Sequence, residues 1–170
     1  VDLFHPDPER GSRGVRPLLD REPVHPGVLA PAHGRRRKLG VTAVKRILVH
    51  EKVADAFTEA LVEITKKWSY GDPLDPNVEM GTVISEDAAK LFERRVNDAC
   101  AKGAKLLVGN KRSGASYSPT VVDRVTPDME LVREETFGPV SPVLRFKDAD
   151  EAIRMVNGTA YGLSSGVCTN

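Results

Sequence analysis

Aromatic residues make up only 5% of the 170 residues, and cysteine occurs twice, at Cys100 and Cys168. Two cysteines close at most one bridge, which excludes a disulfide framework; the expectation is two reduced, mostly buried thiols. Histidine is sparse as well: His5, His25, His33 and His50 show no paired spacing for a metal ion. No apolar run approaches the ~18 residues of a membrane-spanning helix, and no charged segment followed by an apolar stretch opens the chain. The expectation is a cytoplasmic protein with no membrane partner. An excess of one charge is also missing: 25 Lys and Arg stand against 24 Asp and Glu, a net charge of +1. That balance argues against a nucleic-acid partner. The chain opens on Val1 rather than methionine, which gives the expectation of a fragment.

What is present divides into two pieces near residue 40. Residues 1–40 hold seven Arg, six Pro, five Gly and three His, so four residue types fill more than half of the segment. Prolines at 6, 8, 17, 23, 26 and 31 recur too often for a long helix or a central strand. No apolar period of 2 or 3.6 survives, so this piece is expected to be irregular. The basic run Arg35-Arg36-Arg37-Lys38 has no interleaved aromatic and reads as solvated charge.

From residue 41 the pattern is regular. Residues 44–50 are β-branched and apolar enough for a strand. Val53, Phe57, Ala60, Leu61, Ile64 and Trp68 then step by three and four, giving the inner face of a helix that Gly71-Asp72-Pro73 stops. Ser85 caps a second helix with Glu86 and Asp87 in its first turn, and Gly103 ends it. The inward face of this helix is expected to be Ala88, Leu91, Phe92, Val96, Ala99 and Cys100. Strands are expected over 105–108, 120–123 and 140–146, a short helix over 149–156 with Asn157-Gly158 as a left-handed cap, and a last strand over 163–169. Strands alternating with helices imply an α/β fold with a mainly parallel sheet and flanking helices.

The block Glu134-Glu135-Thr136-Phe137-Gly138-Pro139-Val140 closely resembles the E-E-x-F-G-P-V signature of the aldehyde dehydrogenase superfamily. Thr42-Ala43-Val44-Lys45-Arg46 resembles the segment just after that family's nucleophile. Ser118-Pro119-Thr120-Val121-Val122-Asp123 and Val125-Thr126-Pro127-Asp128-Met129 are similar to its approach to the signature, and Tyr161-Gly162-Leu163-Ser164-Ser165-Gly166-Val167 to the region after it. The resemblance implies that residues 41–170 are part of a catalytic α/β domain, truncated at both ends. The family's separate Rossmann domain and its C-terminal segment then lie outside the chain. Within the superfamily the wording is similar to phosphonoacetaldehyde dehydrogenases, which implies a small aldehyde substrate, phosphonoacetaldehyde, with NAD or NADP as oxidant in a homo-oligomeric parent.

The family's chemistry needs a cysteine thiolate to attack the aldehyde carbon and a glutamate-activated water to hydrolyse the resulting thioester. Aligned on Thr42-Ala43, the nucleophile motif G-Q-x-C-T-A places Val41 in the cysteine slot. The general base belongs to an E-L-G-G stretch; Glu9-Arg10-Gly11 is the nearest glutamate and does not fit it. The backbone N–H of residue 41 remains as one oxyanion donor, which without a nucleophile does not make a catalyst. The expectation is that no catalytic residue is present, that the chain alone is inactive, and that it binds no cofactor by itself. An Arg, Pro, Gly and His-rich stretch is what GC-rich DNA yields when read out of frame, so residues 1–40 are expected to be a frameshifted segment. The rival is a genuine, diverged N-terminus with a regulatory role.

The remaining candidates divide by context. The resemblance implies that Glu135 hydrogen-bonds the nicotinamide ribose and that Phe137 packs beside the nicotinamide ring; without it, Glu135 is a solvated helix-end acid and Phe137 a core residue. Lys45 and Arg46 are candidates to hold an anionic substrate or are simply exposed strand-start charges. Cys100 reads as packing, and Cys168 lies far from the nucleophile motif. A reading from another class is a non-catalytic binding or oligomerisation module that kept the fold.

Overall fold

The computed structural model describes residues 44–168, so the expectations for residues 1–40, the Arg35–Lys38 run and Val41 lie outside the described residues. Strand β1 (Ile47–His50) leads directly into helix α1 (Glu51–Lys66), where the His50 side chain accepts a hydrogen bond from the Lys52 N–H. Helix α2 (Glu86–Ala101) is capped by Ser85, whose hydroxyl accepts from Ala88 N–H at 3.1 Å. At its other end Gly103 adopts φ +103°, and the Ala104 and Gly103 amides donate to the Ala99 and Cys100 carbonyls, both at 3.0 Å. This paired closure is available cheaply only to glycine at the left-handed position.

Strands β2 (Lys105–Val108), β3 (Arg112–Ser113), β4 (Ser116–Tyr117) and β5 (Thr120–Asp123) follow, then the one-turn helix α3 (Glu130–Arg133), strand β6 (Val140–Phe146) and helix α4 (Ala149–Asn157). The main sheet has the order β1-β6-β5-β2, with β1/β6 and β6/β5 parallel and β2 antiparallel at one edge; β3 and β4 form a separate hairpin. Helices cover both faces, as parallel strands require. On one face, Val121 and Val143 meet Ala54 and Leu61 of α1; on the other, Val122, Val140 and Leu144 meet Phe92, Val96 and Ala99 of α2. The period of two along β5 and β6 sends alternate side chains to opposite layers.

The α/β fold and the mainly parallel sheet stand as expected, and four details differ. The inner face of α1 is rotated: Ala54, Thr58, Leu61 and Thr65 are buried, whereas Val53 is 53% exposed and Ala60 is also exposed. The first strand begins at Ile47 rather than at 44. Helix α4 includes Asn157, and Gly158 caps it at φ −79°, so no left-handed cap forms. Residues 163–168 form no strand and pair with no described strand; Cys168 is exposed rather than buried, while Cys100 is half-buried against the α2 core. Among the described residues, no helix is long and apolar enough to cross a membrane.

Candidate functional site

The lead-ins to β1 and β6 lie side by side because these strands are parallel neighbours. Lys45 precedes β1, and residues 134–139 precede β6. Along residues 135–137 exposure alternates: Glu135 is exposed, Thr136 is buried and Phe137 is 51% exposed. The Glu135 carboxylate and the Phe137 ring thus both reach solvent and both lie beside Lys45, with Thr136 anchored between them.

The loop is held from below by Arg95, a buried arginine of α2. Its Nη1 donates to the Glu135 carbonyl at 2.8 Å and to Thr136 Oγ1 at 3.1 Å, and its Nε donates to Glu130 Oε1 at 3.0 Å. Arg94 completes the cluster with a two-pronged pair to Glu130 at 2.6 and 2.7 Å. At the other end, the Pro139 carbonyl accepts from Thr120 N–H at 2.8 Å. Gly138 lies flat on the Phe92 ring, where any added Cβ would overlap the ring atoms. The glycine of the signature is thus demanded by packing against α2, with its own backbone in no special conformation.

Two arginines on Glu130 make its carboxylate easy to ionise: the hydrogen bond from Arg94 comes first among the causes and lowers its pKa to about 2 from an ordinary 4.5. The folded state favours the ionised form, so this stabilisation is complete above pH 4.5 and is lost as pH falls toward about 2. Unfolding followed across pH 5 to about 2 is expected to show falling stability that Glu130→Gln flattens. An equal slope in both proteins would remove Glu130 from the account.

From the side, Lys45 Nζ donates to the Thr136 carbonyl at 3.4 Å and stands 4.0 Å from the Phe137 ring centroid. Burial pushes its pKa down, and the nearby Glu135 carboxylate opposes the shift. Arg46, the other candidate for an anionic group, is used elsewhere: its guanidinium donates to the Met155 and Val156 carbonyls at 3.0 and 3.2 Å and closes the end of α4. Of the residues singled out from sequence, the fold brings Glu135, Phe137 and Lys45 together and takes Arg46 away from them. Arg95 was missed, although its spacing from Phe92 and Ala99 places it on the buried face of α2. A charge on such a face needs partners, and that was the available signal. Among the described residues, no group of His, Cys, Asp or Glu could hold a metal ion. The arrangement offers a carboxylate acceptor and an aromatic face, both beside Lys45.

Over 162 residues the chain is 38% identical to a probable succinate-semialdehyde dehydrogenase (NADP+) of Sinorhizobium fredii, covering 92% of this chain and 33% of that protein. A sulfoacetaldehyde dehydrogenase of Neptuniibacter caesariensis is 40% identical over 126 residues, 74% of this chain and 28% of its own length. The crystal structure of a succinate-semialdehyde dehydrogenase from Burkholderia pseudomallei superposes with a TM-score of 0.70 at 38% identity, covering 73% of this chain and 26% of that one. A glyceraldehyde-3-phosphate dehydrogenase from Methanocaldococcus jannaschii, complexed with NADP, superposes with a TM-score of 0.69 at 39% identity, covering 74% and 27%. The chain thus spans a third or less of the length of these relatives. Residues 41–170 match the profile of the aldehyde dehydrogenase family, and the chain belongs to that family.

Proposed function

We propose that residues 41–170 are part of the catalytic domain of an NAD(P)-dependent aldehyde dehydrogenase that oxidises a small aldehyde to a carboxylic acid, and that Glu135 and Phe137 face the dinucleotide. The observation that carries this reading is the exposure of Glu135 and Phe137 beside Lys45, on a backbone pinned by Arg95 and Lys45. A carboxylate suits a ribose diol, since each of its oxygens accepts a hydroxyl hydrogen, and a half-exposed ring suits the flat face of a nicotinamide. When bound, NAD or NADP supplies the hydride acceptor. The chain's own contribution is to fix the height and tilt of that acceptor through Glu135 and Phe137.

Several similar proteins act on aldehydes that carry an anionic group, among them succinate semialdehyde and sulfoacetaldehyde. The substrate proposed for the parent is an aldehyde of that class, to which phosphonoacetaldehyde also belongs. Uncovered apolar side chains on α1 (Val53) and α4 (Ile153, Val156) support a homo-oligomer. A cytoplasmic location accords with this function.

The test is Glu135→Gln in an in-frame, full-length parent. The amide keeps the shape and loses the charge, and a hydrogen bond to a charged group is worth about 1.5–3 kcal/mol. Hydride transfer is expected to fall roughly ten- to a hundredfold at 1.4 kcal/mol per decade. Ester hydrolysis, which needs acylation without hydride transfer, changes far less. A matched fall in both rates would make Glu135 structural and overturn its cofactor role.

A further inference from the structure

Phe137 is a half-exposed ring that the core does not hold, since it belongs to neither hydrophobic cluster packed on the sheet. Among the described residues no other aromatic ring stands against it. The cation over it is Lys45, whose Nζ lies 4.0 Å from the ring centroid. That ammonium is itself tethered. Lys45 is the one lysine among the described residues that is not exposed, and its Nζ donates to the carbonyl of Thr136, the residue just before the ring it covers. The nearby Glu135 carboxylate favours the same charged form.

We propose that Lys45 is a positioning residue for the dinucleotide: seated on one face of the Phe137 ring, its ammonium fixes the ring's orientation and leaves the opposite face for the nicotinamide. This rests on the reading of Glu135 and Phe137 as the dinucleotide face and adds the group that sets their geometry. A half-exposed phenyl ring turns about two side-chain bonds, and exposure by itself selects none of its rotamers. A cation is drawn to the face of a ring and not to its edge, so it selects a tilt as well as a position. The tether keeps that selection local. Lys45 holds the Thr136 carbonyl, while Arg95 holds the Thr136 hydroxyl and the Glu135 carbonyl. Cation, ring and carboxylate therefore share one pinned stretch of backbone. Arg46, next in the chain, does not duplicate the role, because its guanidinium is committed to the Met155 and Val156 carbonyls.

In the 170-residue chain, NMR scalar couplings report the rotamer populations of the Phe137 side chain. Lys45→Met keeps the aliphatic stem and removes the charge. It is expected to lower the ratio of major to minor rotamer about two- to fivefold, the bias that a cation–π contact at an exposed site supplies. Lys45→Arg, whose planar cation stacks on a ring, should restore the ratio. In the in-frame, full-length parent, Lys45→Met should slow hydride transfer by a similar factor while the dinucleotide Kd changes little. In a Phe137→Leu background it should add nothing, since the cation then has no ring to hold. Rotamer populations unchanged by Lys45→Met overturn the proposal, and so does a rate loss that persists undiminished in Phe137→Leu. A slow Phe137→Leu beside a normal Lys45→Met would overturn this proposal alone. An unchanged rate in Phe137→Leu would remove the dinucleotide reading, and this proposal with it.

Discussion

Arg95→Met is expected to lower the stability of the folded chain by about 3 kcal/mol, whereas Arg94→Met, at an exposed position, is expected to cost far less. Both arginines touch Glu130, so the difference isolates what Arg95 does besides pairing. Its side chain is only 9% exposed against 57% for Arg94, and it alone donates to the Glu135 carbonyl and the Thr136 hydroxyl. Removing it leaves the buried Thr136 hydroxyl short of a partner and frees the loop that carries Glu135 and Phe137. Methionine refills most of the stem volume, so the loss reports hydrogen bonds rather than a cavity. Arg95→Lys should recover only part of it, because one ammonium cannot reach Glu130 and the loop in the same fork geometry. Denaturant unfolding gives the three values, and hydrogen exchange at residues 135–137 should rise in Arg95→Met alone. Equal costs for Arg94→Met and Arg95→Met would assign the whole effect to the Glu130 pair.

The residues that escaped sequence reading share a physical cause. Hydrophobic periodicity assumes that the buried face of a helix is its apolar face. In α1 the buried positions include Thr58 and Thr65, whose hydroxyls donate to the Ala54 and Leu61 carbonyls one turn back at 2.9 and 2.7 Å. With the polar group satisfied locally, threonine behaves as a small apolar residue, and the true stripe falls one position away from the one that Val53, Phe57 and Ala60 suggest. Arg95 escaped for the same reason on a larger scale, since its charge is matched by partners distant in sequence. By contrast, β2, β5 and β6 were legible to the residue, because each is a short apolar run between turn-forming residues.

Residues 163–168 show the opposite failure. Their composition suits a strand, yet a strand exists only where another offers hydrogen bonds, and composition does not carry that information. The location of the site was legible only through the signature. A general rule for open α/β sheets places ligands beyond the carboxyl ends of the strands. Here Lys45 and residues 134–139 gather at the amino ends of β1 and β6 instead. Local physics then explains the signature's parts: Glu135 and Phe137 face outward, Thr136 inward to Arg95, and Gly138 against Phe92.

The purified 170-residue chain is expected to show no aldehyde oxidation and no ester hydrolysis above a heat-inactivated control. We propose that Val41 stands where the family's nucleophile motif requires cysteine, and an isopropyl group has no lone pair to offer a carbonyl carbon. Loss of a covalent nucleophile costs on the order of 10⁶ in turnover where it has been measured in a hydrolase, so the remaining rate should be indistinguishable from background. Val41→Cys restores a thiol but not the E-L-G-G carboxylate, which none of the 170 residues supplies, so aldehyde oxidation should stay absent in that variant. The two changes become separable in the nucleotide sequence. If residues 1–40 are an out-of-frame reading, another frame encodes the E-L-G-G glutamate and a cysteine codon at the position of Val41. Restoring that frame in a full-length parent that carries the dinucleotide-binding domain should then recover oxidation that the single substitution cannot. Activity that follows the unaltered chain through successive purification steps would sink the assignment of Val41 to the nucleophile slot. An alternative frame without the glutamate and cysteine would instead favour a genuine, diverged N-terminus.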